Sequence, residues 1–124
     1  MNRRYSEAAE RFAARRRRED EAPRLRSQVP NLASLRLEVE ERRSSAVAVE
    51  SRHVRHIVDG APALFLLPCG DPVCKEGGHD LTTQIMRGLV AGAERFEVED
   101  VCAGDVGTAR CGRILKVTAI ATYR

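Results

Sequence analysis

Residues 32–42, LASLRLEVEER, alternate with a period of two: Leu35, Leu37 and Val39 fall on one side, Arg36, Glu38 and Glu40 on the other. That is the pattern of a half-buried strand. After a turn at RSSA (43–46), residues 47–58 alternate again, with Val47, Val49, His53 and Ile57 on one side and Arg52, Val54 and His56 opposite. Asp59-Gly60 is a hairpin-turn dipeptide. PALFLLP (62–68) is a continuous apolar run, which predicts a central strand. RFEVEDVC (95–102), with Phe96 and Val98 inward, and CGRILKVTAIATY (111–123) read as two further strands.

The period lengthens to that of a helix at two places. In LTTQIMRGLVAGA (81–93), Leu81, Ile85, Met86, Leu89 and Val90 make one apolar face, Asp80 can cap its start and Gly92 suits its end. Near the N-terminus, YSEAAERFAARRRREDEA is rich in helix formers, with Ser6 as a cap and Pro23 as a stop. Its apolar stripe is thin: Tyr5, Ala8 or Ala9, and Phe12. SQVPN reads as a linker. The expected order is therefore α-β-β-β-cysteine loop-α-β-β. The fold class is α+β, a mostly antiparallel sheet of about five strands with one packed helix. Residues 1–30 form a basic helical arm and linker, and residues 31–124 form the domain.

Composition narrows this picture. The chain has 124 residues, 43% hydrophobic and 31% charged, enough for one modest core. Only two Tyr, three Phe and no Trp are present, so the core rests on Val, Leu, Ile and Ala. A core of that kind gains from a metal staple. No stretch approaches the roughly 20 apolar residues of a membrane span. The basic start has no apolar segment after it and so does not read as a secretory leader. Both features lead us to expect a cytoplasmic protein. In a reducing compartment, cysteines serve metals or chemistry rather than disulfides.

The four cysteines and one histidine are spaced Cys69-x4-Cys74-x4-His79-x22-Cys102-x8-Cys111. Each pair falls where a predicted strand meets a turn: Cys69 ends the apolar run, Cys102 ends the strand after the helix, and Cys111 opens the last strand. If those strands are neighbours, two loops bring two thiols each to one end of the sheet, as in a tetrahedral zinc site. Two ligand sets stay open: four thiolates, with His79 at the start of the helix, or His79 with three thiols. The hexapeptide CKEGGH (74–79) resembles the C-x4-H half of a retroviral-type zinc knuckle. The resemblance spans six residues; the preceding cysteine is at x4 rather than x2, and Gln84 stands at the last ligand place, so no RNA binding is carried over from it.

Catalytic alternatives find less support. A zinc deaminase needs H-x-E and P-C-x-x-C; here no histidine is followed at two by Glu, and Cys74 lies too far from Pro68-Cys69. A redox dithiol would favour C-x-x-C, which is absent. A Cys69 nucleophile with His79 as base has nothing in the sequence to fix its geometry. His53 and His56, at i and i+3 on a strand, face opposite sides of a sheet and do not share a metal.

Charge is unevenly placed. The net charge is +3, yet residues 1–26 carry nine arginines against five carboxylates. On a helix Arg11, Arg15 and Arg18 share a face that could follow phosphates, with Phe12 beside it. Glu7, Glu10, Glu19, Asp20 and Glu21 offset much of that charge. The sequence thus predicts a small zinc-binding, non-enzymatic adaptor that contacts nucleic acid or a ribonucleoprotein through its arginine arm. The alternatives are a zinc-stabilised interaction subunit of a protein assembly, and a zinc or thiol enzyme.

Overall fold

The computed structural model describes residues 3–43 and 48–124, the side chains of 3–8 excepted. The expected Ser6 cap, the Tyr5 side chain, most of the RSSA turn and Val47 lie outside the described residues. The chain is α+β. Helix α1 (Arg3–Glu21) and the single turn α2 (Leu25–Gln28) precede strand β1 (Leu32–Arg42) and strand β2 (Ser51–Ile57). A two-stranded ribbon follows, β3 (Leu66–Leu67) with β4 (His79–Asp80), and then helix α3 (Thr82–Val90). Strand β5 (Arg95–Val101), a second ribbon of β6 (Asp105–Val106) with β7 (Ala109–Arg110), and strand β8 (Ile114–Tyr123) complete the chain.

The main sheet has four strands in the order β2-β1-β8-β5, antiparallel throughout. Its alternation is the one the sequence shows. Leu35, Leu37 and Val39 of β1 are buried, as are Leu115, Val117, Ala119 and Ala121 of β8. Phe96 and Val98 of β5 pack against them. The opposite face is polar and cross-paired, with Arg52–Glu40 at 3.5 Å and Lys116–Glu97 at 3.4 Å. Helix α3 buries Ile85 and Leu89 in the same core, and Leu81 just before it. Asp80 accepts the Thr82 N–H at 3.1 Å, and Gly92 (φ 76°) ends the helix, its N–H bonded to the Leu89 carbonyl at 3.1 Å. Val90 departs from the expected apolar face: it is largely exposed, because the buried stripe runs through 81, 85 and 89 and turns 90 outward.

Three further expectations need correction. The apolar run 62–68 is not a strand of the main sheet, which has four strands rather than about five. Pro62 and Pro68 bracket it, and a proline supplies no N–H to a ladder. The run lies in the core instead, burying Ala63, Phe65 and Leu67. Its backbone is satisfied elsewhere: Phe65 N donates to Thr82 Oγ1 at 2.9 Å and Leu81 N to the Phe65 carbonyl at 2.9 Å. Asp59-Gly60 does form a turn, Ala61 N to the Val58 carbonyl at 3.2 Å, but no returning sheet strand follows it. The SQVPN stretch read as linker places Val29 in the core, and Leu25 just before it is buried too, with Leu25 N and Ala63 N bonded to the Ala61 and Pro23 carbonyls. Propensity marks prolines and polar residues as connectors, and the core claims the two apolar side chains between them.

Candidate metal centre

The core face of the sheet ends at one edge in the cysteine loops. Cys69 follows β3, Cys74 sits on the loop between β3 and β4, Cys102 follows β5, and Cys111 lies between β7 and β8. A turn closes the first loop: Cys74 N bonds the Asp71 carbonyl at 3.1 Å, and the Asp71 side chain accepts Val73 N at 3.0 Å. The β6–β7 ribbon closes the second. The loops are laced to each other by paired bonds between Lys75 and Asp105 (2.8 and 3.0 Å). Cys102 N bonds the Arg113 carbonyl at 2.8 Å and Cys111 N the Gly104 carbonyl at 2.7 Å.

This lacing brings all four thiols together. The Sγ atoms of Cys69, Cys74, Cys102 and Cys111 lie within 4.8 Å of one another. Cys69–Cys111 and Cys74–Cys102 are each 3.7 Å apart, each pair joining one loop to the other. A tetrahedral ion with metal–sulfur bonds of about 2.3 Å places its sulfurs about 3.8 Å apart. Those two pairs match that edge, and the four thiols lie close enough together to hold a metal ion. None of the four is in a disulfide.

Backbone amides point at the sulfurs. Asp71 N donates to Cys69 Sγ and Gly78 N to Cys102 Sγ, both at 3.5 Å. Such bonds drain charge from thiolates. The close approach needs residues without side chains. A Cβ on Gly77 would collide with the sulfurs of Cys74 and Cys102. Glu76 holds the left-handed turn beside it at φ 56°.

Electrostatics describe a site that wants a cation. Burial pushes the Cys69 thiol up to about 11, opposed by the Asp71 amide and reinforced by Cys111 and Cys102. Burial and then the three neighbouring thiols drive Cys74 higher still. At Cys102 the upward push of burial is outweighed by the amides of Gly78 and Gly104 and by the thiols of Cys74 and Cys111, so its pKa falls. One thiolate, at Cys102, is thus favoured over thiolates at Cys69 and Cys74.

His79 stands outside the sulfur group. Its side chain is fully buried on β4, and its Nδ1 bonds Asp100 Oδ2 at 2.6 Å. Its Nε2 is the buried side-chain nitrogen or oxygen without a hydrogen-bond partner among the described residues. His53 and His56 are both exposed on β2, opposite Val39 and Arg36 respectively, and so on opposite faces.

On the arm, Phe12 is 66% exposed and Arg11 is exposed. Arg15 and Arg18 turn toward the domain, Arg15 Nη2 to the Leu66 carbonyl at 3.0 Å and Arg18 to Asp80 at 3.3 Å. A groove of about 550 Å³ lies between α1 and the Glu76–Asp80 segment, lined also by Leu66 to Pro68. Sequence reading gave no role to Glu41, Asp100 or Arg113. Glu41 is buried and accepts from Arg113 Nε at 2.5 Å and Gly70 N at 2.9 Å. The signal lay in the alternation: Glu41 continues the buried odd positions of β1, where a charged residue needs a partner.

No protein-family model matches the chain, and neither a curated protein nor a solved structure matches it. Among the described residues no helix is long and apolar enough to cross a membrane.

Proposed function

We propose that this chain is a zinc-stapled, non-catalytic binding module. The observation that carries the reading is the cluster of four sulfurs within 4.8 Å of one another, with Cys69–Cys111 and Cys74–Cys102 each 3.7 Å apart between the loops. Bound there, zinc would supply folding free energy and neutralise the thiolates. Four thiolates fill a tetrahedral ion's positions and leave no place for substrate water, which favours a structural role over catalysis. Cys69 and Cys74 tie the β3–β4 ribbon to Cys102 and Cys111, which bracket the β6–β7 ribbon. Elemental analysis of protein purified without added metal tests this: about one zinc per chain is expected. An S4 donor set also accepts iron, and iron or no metal in a folded protein would overturn the zinc assignment.

The arm is the binding element of this proposal, and nucleic acid or a ribonucleoprotein is its first partner. Support comes from the exposed arginines Arg11, Arg16 and Arg17 beside Phe12. Arg15 and Arg18 contribute once their bonds to Leu66 and Asp80 yield to phosphates. A second reading, docking into a protein assembly, is favoured by the exposure of Phe12. Retention on immobilised single-stranded nucleic acid at two salt concentrations separates them. Phosphate contacts weaken steeply with salt, whereas an aromatic anchor does not.

A further inference from the structure

Glu41 and Asp100 stand in one row across the sheet, each directly opposite Leu115 on β8, from β1 and β5 respectively. Leu115 is buried, so both carboxylates project from the core face at the edge where the cysteine loops begin. Each bonds to residues beside different cysteines. Glu41 accepts Gly70 N–H, next to Cys69, and the Arg113 guanidinium, two residues after Cys111. Cys69 and Cys111 are one of the two close pairs. Asp100 lies two residues before Cys102 and binds His79 Nδ1. Next to His79, Gly78 donates its N–H to Cys102 Sγ, and Cys102 with Cys74 is the other close pair.

We infer that Glu41 and Asp100 are positioning residues of the metal centre, each clamping one sulfur pair from the floor of the sheet. This rests on the zinc reading above. The physical reason is that two loops converging on one ion lose chain entropy on closing. A rigid acceptor already set at ligand spacing removes part of that loss from the metal-binding step. The sheet is the rigid element here. Gly70 fits the scheme, since a Cβ there would run into the Glu41 carboxylate. Glu50 serves as a control: it binds the same guanidinium, Arg113 Nη1 at 2.7 Å, whereas the Gly70 N–H goes to Glu41.

The test compares the full chain with Glu41→Gln, Gly70→Ala, Asp100→Ala and Glu50→Gln. Zinc-loaded protein is mixed with a chromophoric chelator and transfer is timed; cobalt-loaded protein is read by its visible absorption. Glu41→Gln, Gly70→Ala and Asp100→Ala should each release zinc about tenfold faster or more, the size expected of residues that orient ligands. Their cobalt bands should shift. Glu50→Gln should stay within about twofold of the parent, with unchanged bands. Release from Glu41→Gln and Asp100→Ala at the parent's rate with parental bands would overturn the inference, as would a Glu50→Gln protein as leaky as Glu41→Gln. Should Glu41→Gln fail to fold, Gly70→Ala carries the same comparison from the other side of the bond. A parent that takes up neither zinc nor cobalt would overturn the zinc reading itself.

Discussion

Gly104 packs directly on the backbone of Gly77: a Cβ added to Gly104 would stand 2.7 Å from the Gly77 Cα and the same distance from the Lys75 carbonyl. The two residues come from different loops, and Cys74 Sγ lies against both. The loops therefore meet glycine to glycine, which lets the sulfurs close to 3.7 Å.

Gly104→Ala should separate the loops and weaken zinc binding by about tenfold or more, since backbone, unlike a flexible side-chain end, cannot move aside cheaply. Gly107→Ala makes a sharp comparison. It sits at the tip of the β6–β7 turn with open space around it and φ 62°. It should cost about 1 kcal/mol of stability through backbone strain and leave zinc affinity unchanged. Chelator competition and thermal melts on both variants check this; equal affinities would remove the glycine contact from the account.

Cys69→Ser and Cys102→Ser should lower zinc affinity alike, by about a hundredfold or more, or about 2.7 kcal/mol. The residues are 33 apart in sequence yet belong to one cluster. Both variants should melt close to the metal-free parent. His79→Gln should still take up about one zinc, since the ring lies outside the sulfur group, but release it faster, as Asp100→Ala does, because it loses the imidazole that Asp100 holds. Zinc loss in His79→Gln with retention in any one Cys→Ser protein would instead favour the set of three thiols and the histidine.

Much of this was legible in the sequence. Alternation in 32–42, 47–58 and 95–102, with the long β-like run at 111–123, gives all four strands of the main sheet. The helical stripe Leu81–Ile85–Leu89 gives α3, because that face is buried. The cysteines were legible as a group because each abuts a turn. What was hidden depends on tertiary choice. Ala63, Phe65 and Leu67 are as apolar as a central strand, but they fill the core beneath a sheet instead of joining it, and periodicity cannot tell the two apart. Val29 sits in SQVPN, whose composition says linker, and Leu25 lies just before it among arginines. Arg15 and Arg18 carry charge that reads as solvated, and only the packing of α1 shows their bonds to Leu66 and Asp80.

The pH dependence of stability should change sign with metal. In metal-free protein the raised pKa of Cys69 contributes stability that is complete below its ordinary value of 9.0 and is lost as pH climbs through about 11. Cys74 acts in the same direction; Cys102, lowered, opposes them with a contribution lost as pH falls below 9.0. Above pH 9 the Cys102 contribution is already complete and constant, so the metal-free fold should weaken from pH 9 upward. With zinc bound, all four thiolates are held ionised, so stability should instead fall in acid as protons displace the ion. Melts from pH 5 to 11, with and without chelator, give the two slopes. Parallel curves would mean that the thiols do not govern stability.

The arm offers the last prediction. Arg15 and Arg18 hold α1 on the β3–β4 ribbon through one carbonyl bond and one ion pair, both partly open to water. Such pairs are individually worth about 1 kcal/mol or less. An Arg15→Ala/Arg18→Ala protein should therefore keep its metal and its core, losing at most about 2 kcal/mol, while amide exchange in residues 9–21 speeds up. Deleting residues 1–21 should leave a folded, zinc-loaded domain, whereas deleting 1–30 should destabilise it strongly, because Leu25 and Val29 are core residues. The two deletions also probe binding. If α1 is the partner element, removing 1–21 abolishes retention on nucleic acid or on a protein partner. Phe12→Ala then distinguishes them: it spares a salt-sensitive phosphate contact and destroys an apolar one. A domain without residues 1–21 that binds as well as the whole would remove the arm from the proposed function and leave it as a solvated helix docked by two arginines.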